Sequence, residues 1–155
     1  MAPTDDAHDR ANAVKHLAIA LIDAYVRREP ADLAAAVKGI TDADAVAAAT
    51  SELKVYASFL TRRVQETGVV WKPADAREAV ARAVADLLEP ELEFAVINTW
   101  EAYSVGEEEI AQRFTRGDPL VFLHMLAAFS AAIGRAVYSP AELVSTLRIA
   151  SGISE

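Results

Sequence analysis

Apolar residues recur every three or four positions along most of this chain, the spacing that one face of an α-helix imposes. Val14, Leu17, Ala18, Leu21, Ile22 and Tyr25 form the first such stripe and predict a helix over residues 11–28. Pro30 opens a short second helix that stops at Gly39, because proline suits a first helical turn and glycine suits a helix end. From Asp42 to about Glu66, Val46, Leu53 and Leu60 repeat by sevens, with Ala49, Tyr56 and Val64 near the same seam. This predicts a long helix with one antiparallel packing face. Thr67 and Gly68 close it, residues 69–72 form a loop carrying Trp71, and Pro73 starts a helix expected to reach Leu88 with Val80, Val84, Leu87 and Leu88 inward.

The second half follows the same course. Glu89-Pro90 starts a helix marked by Leu92, Ala95, Val96, Thr99, Trp100 and Tyr103, stopping near Gly106. Ser104 and Glu107 have the spacing of a capping box, and a short helix through Ile110 and Phe114 ends at Gly117. Asp118-Pro119 pairs an N-cap with a proline at the first helical position and launches a helix expected to reach Val137. Its residues 119–134 carry no charge, which predicts burial on every side rather than a bilayer span, since a span needs ~20 apolar residues. Ser139-Pro140-Ala141-Glu142 is a specific start signal for a last helix through Ala150.

The order long, short, long, Pro-started helix thus occurs twice, and some residues align by eye: Leu21-Ile22 with Val96-Ile97, Asp42 with Asp118, Pro73-Ala74-Asp75 with Pro140-Ala141-Glu142. The expectation is one all-α domain over 1–155, a bundle of about six to eight helices. It comprises a flexible tail over 1–10, a first unit over 11–89 and a second over 90–151. A closed bundle is preferred to a solenoid, which needs at least about three repeats to bury a continuous core.

Composition narrows the chemistry. With 53% hydrophobic and 25% charged residues the chain is globular. Its formal net charge of -8 argues against nucleic acid, because phosphate backbones are bound by clustered Lys and Arg. The absence of cysteine excludes disulfides, thiolate metal sites and cysteine nucleophiles. The polar, acidic residues 1–12 lack the basic and apolar regions of a secretory signal, so a cytoplasmic location without membrane contact is expected.

No catalytic, metal or cofactor site is expected, since no phosphate loop, nucleophile elbow, Glu-x-x-His or His-Glu-x-x-His spacing occurs. Of the histidines, His8 lies in the expected tail and His16 beside the apolar stripe of the first helix. His124 sits in the uncharged helix and there requires a hydrogen-bonding partner. A partner in the core is the leading expectation. A ligand pocket formed by His124 with Trp100 and Tyr103 is the alternative.

Between Arg82 and Arg113 there is no Lys or Arg, while eight acids accumulate, including Glu107, Glu108 and Glu109. Together with Trp71 in its apolar loop, this triplet marks the candidate contacts for a protein partner of basic character. Arg27-Arg28 and Arg62-Arg63 end two long helices, where cations offset the C-terminal partial charge. The function expected is therefore a noncatalytic interaction or regulatory module, with a small apolar ligand as the alternative and an enzyme third. Self-association is expected through the apolar stripe of residues 46–64.

Overall fold

Each of the six prolines is the first residue of a helix. Proline fixes a helical φ and lacks the N–H that a first turn leaves unbonded, so these positions set where the helices begin. The computed structural model describes residues 3–40 and 42–153, except the side chains of 3–8 and 73. Among them run α1 (Pro3–Arg27), α2 (Pro30–Lys38), α3 (Ala43–Glu66), α4 (Pro73–Val84), α5 (Pro90–Ser104), α6 (Glu108–Phe114), α7 (Pro119–Gly134) and α8 (Pro140–Ser151). No strand occurs among the described residues, so the fold is all-α.

Helix α7 is the centre, packed closely against α1, α3, α4 and α5. Thirteen of its sixteen residues are buried, which is why its sequence shows no polar face. Helix α3 has neighbours on one side only, α1 and α7. Its stripe of Val46, Leu53, Leu60 and Val64 is buried there. That stripe is consumed within the chain, which corrects the expectation that it would remain free to pair a symmetric dimer. The short helices lie outside, α2 on α1 and α6 on α5, while α8 packs on α1 and α4 on α5. The long, short, long, Pro-started order is present in both halves.

Three boundaries differ from the sequence reading. Helix α1 begins at Pro3, so residues 3–10 are helical rather than a tail; no Gly or Pro interrupts the chain from 4 to 29. Residues 1–2 lie outside the described chain. Helix α4 stops at Val84, before the expected Leu88, because Ala85 turns to ψ 131° and Asp86 takes φ 65°. The last carbonyls of α4 are capped from outside. Arg28 donates to Arg82 O at 2.7 Å and to Ala85 O at 2.6 Å. Arg28 therefore closes a neighbouring helix, while Arg27 pairs with Asp23 on its own. The capping box of Ser104 and Glu107 does not form: Ser104 donates to Glu101 O, and α6 begins only after Gly106 has turned at φ 83°.

The expected box at α8 is made. Ser139 Oγ accepts from Glu142 N, and Glu142 Oε1 accepts from Ser139 N at 2.9 Å. These bonds hold the Glu142 carboxyl below its ordinary range. The start of α8 is locked to the end of α7 by Gly134, where an added Cβ would stand 2.7 Å from Leu143 Cδ1 and 3.3 Å from its Cγ. Leu143 is fully buried and has nowhere to retreat. Gly134→Ala is therefore expected to destabilise by about 1–3 kcal/mol through overpacking, despite alanine's helix propensity advantage of about 1 kcal/mol. A rise in thermal midpoint for this variant would show that the α7–α8 packing is looser than the geometry states.

Candidate binding surfaces

The residues singled out from the sequence fall into three places. His124 is in the core, 4% exposed, with its Nδ1 2.6 Å from the hydroxyl of Tyr25 on α1. The two rings meet edge to face, with centroids 6.0 Å apart. Burial lowers the imidazole pKa to about 4, against a smaller opposing pull from Asp118, and raises that of the Tyr25 hydroxyl far above its ordinary value. Both groups are thus neutral near neutral pH. One of the two donates to the other across this contact, the direction being set by the imidazole tautomer. His124 is spent on this bond and lies apart from Trp100 and Tyr103, its expected pocket partners. His16 is exposed, and the side chain of His8 lies outside the described residues.

Trp71, Trp100 and Tyr103 do come together. They line a groove of about 540 Å3 between α3, the 67–72 connection, α4, α5 and α7. Trp100 stacks on Phe129 of α7 with centroids 4.3 Å apart and planes 25° from parallel, and Tyr103 meets Phe122 edge to face. The opposite wall is the wet side of α3, where Lys54, Ser58, Arg62 and Gln65 follow one another at helical spacing. Trp100 is 6% exposed, yet its indole Nε1 has no hydrogen-bond acceptor among the described residues. Burial, and next the Glu108 carboxylate, raise the pKa of the Tyr103 hydroxyl, so it remains a donor.

Glu107, Glu108 and Glu109 are exposed where α5 passes into α6. Near them the structure exposes large apolar side chains that the sequence reading had not marked as surface. Phe94 is 67% exposed, and Phe114, expected in the core, is 40% exposed. Only Ala111 of α6 is buried, because a helix of seven residues lying on α5 alone has no second neighbour to cover its other side. Phe94 and Phe114 face a shallow second groove of about 480 Å3 with Leu92 and Val121, walled by Glu89, Glu91 and Asp118. Arg116, held at φ 53°, is the one cation lining it.

Lys54 was not marked from the sequence and Arg62 only as a helix-end cation; the folded chain shows two tryptophans across from them. Among the described residues no group of three or more His, Asp or Glu is arranged to hold a metal ion, and no single helix is long and apolar enough to cross a membrane. No protein-family model, curated protein or solved structure matches the chain.

Proposed function

We propose that the protein is a noncatalytic interaction module whose α5–α6–α7 face receives a basic, amphipathic segment of a partner protein. The observation that carries this reading is the pair Phe94 and Phe114, exposed around one groove whose charged lining is Glu89, Glu91 and Asp118 with Arg116. Isolated surface phenylalanines are ordinary, but two around one concavity, with Ile110 also exposed four residues before Phe114, form a patch of the kind that partners cover. Glu89, Glu91 and Asp118 at its wall, and Glu107 to Glu109 on α6, give it a negative field that favours Lys and Arg on the incoming segment. Helix-in-groove recognition combines these two features, with apolar anchors inside and charges at the rim. A cytoplasmic location belongs to the same proposal, supported by the absence of cysteine and of a membrane-crossing helix among the described residues.

The test uses two labelled amphipathic peptides of equal length, one of Leu and Lys, the other of Leu and Glu, titrated by fluorescence anisotropy. The Leu/Lys peptide is expected to bind and to weaken as salt is raised, since charges at the rim are screened beyond about 8 Å at physiological ionic strength. Phe94→Ser with Phe114→Ser is expected to weaken it about tenfold or more, the loss of two apolar anchors. Equal affinity for the two peptides, or full affinity in the double variant, would overturn the reading.

A further inference from the structure

The groove at Trp71 and Trp100 is lined by cations and by no acid, in a chain that is acidic as a whole. The chain holds 23 acidic residues, and none of them lines this groove. Its two charged lining residues are Lys54 and Arg62, about two helical turns apart on α3, and neither makes an ion pair or hydrogen bond with any described residue. Other arginines nearby are engaged, Arg63 with Glu66 and Tyr138, and Arg77 with Glu101. In a chain of net charge -8, two unpaired cations facing one concavity are a local excess that an anion would neutralise. The lining opposite them is aromatic, with Trp100 stacked on Phe129 and Trp71 on the same groove.

We propose that this groove binds a small organic anion with a flat apolar body. The body lies along the aromatic side formed by Trp71, Trp100 and Phe129, and the anionic head is met by Lys54 and Arg62. A volume of about 540 Å3 is that of a small-molecule site, which typically spans about 300–1,000 Å3 and combines apolar walls with a few polar groups. The planar guanidinium of Arg62 suits a carboxylate or a sulfonate, which it meets with two parallel N–H donors. This site shares no lining residue with the Phe94 and Phe114 groove and carries the opposite charge, so the two readings stand or fall separately.

The two tryptophans of the chain both line the groove, so intrinsic fluorescence reports its occupancy directly. The probes are 8-anilinonaphthalene-1-sulfonate and N-phenyl-1-naphthylamine, which share a ring body and differ in the sulfonate. The sulfonate probe is expected to quench the tryptophans at a single site, about tenfold more tightly than the neutral one. Lys54→Gln with Arg62→Gln, both exposed positions, is expected to abolish that preference while leaving the neutral probe's affinity in place. Phe94→Ser with Phe114→Ser is expected to change neither titration. Equal affinity for the two probes in the native protein, or an unchanged preference after removal of both cations, would overturn the proposal. Displacement of the sulfonate probe by an acidic aromatic peptide but by no small carboxylate would equally overturn it, since the occupant would then be a protein segment.

Discussion

Between about pH 6.5 and pH 4 the protein is expected to lose about 3 kcal/mol of stability to a single group, His124. Its imidazole is buried on α7 and its pKa falls to about 4, against an ordinary value of 6.5 in the unfolded chain. In that window the unfolded state binds a proton that the folded state refuses, so stability falls as pH falls. It is fully present above the unfolded value, and the loss is complete once pH passes below the folded value. At about 1.36 kcal/mol per pH unit, a shift of this size gives the total above. Protonation would also make both ring nitrogens donors, so the Tyr25 hydroxyl could only accept at this contact and a positive charge would sit in the core. Glu142 enters only at the acid edge of this window, because its lowered pKa makes its stabilisation fade below the ordinary value of 4.5. Denaturant unfolding of the native protein and of His124→Gln at several pH values checks this. The variant is expected to be less stable near neutrality but nearly flat across the window. Parallel acid slopes in the two proteins would place the sensitivity elsewhere.

The helical architecture was legible because its signals are local. Proline at first helical positions, the Ser139-to-Glu142 box and the Asp118 cap each act through backbone geometry within one turn, and each is found in the structure. The boundaries that were misplaced are those decided from a distance. No residue between Val84 and Leu88 signals a stop; α4 ends where it does with its carbonyls capped by Arg28, 54 residues earlier in the chain. The expected box at Ser104 had the right residues at the right spacing, yet Gly106 put the turn inside it. Periodicity likewise identified the burial of α7, since a helix with close neighbours in α1, α3, α4 and α5 must lack a polar stripe.

The candidate sites were legible only in part, and for a physical reason. Trp71, Trp100 and Tyr103 were marked by their size and position, but periodicity assigns a residue to a face of its own helix without saying what stands opposite. Lys54 therefore carried no signal, and Arg62 read only as a helix-end cation. Their meaning comes from the aromatic floor that α5 and α7 bring within reach. Phe114 shows the converse: its spacing from Ile110 gave α6 an apolar stripe, which counts as core only if a second helix covers it, and none does. His124 was correctly seen to need a partner, and that partner proved to be Tyr25, 99 residues away.

Leu123→Ala is expected to cost about 2–5 kcal/mol, a large share of the 5–15 kcal/mol that holds a domain of this size together. Leu123 is fully buried at the second turn of α7, and the helices packed around it are held apart by many other side chains, so they cannot collapse into the space that truncation leaves. Both the lost transfer free energy and the cavity therefore count against the variant. The control is Val55→Ala on α3, where the side chain is 62% exposed and alanine improves helix propensity; there the change is expected to stay within about 0.5 kcal/mol. Urea unfolding of the two variants compares the centre of the bundle with its surface. If Leu123→Ala lost no more than Val55→Ala, α7 would not be the packed centre. If Leu123→Ala lost stability while the sulfonate probe still bound at the tryptophans, the groove would be a feature of the folded surface, independent of how much stability the core holds in reserve.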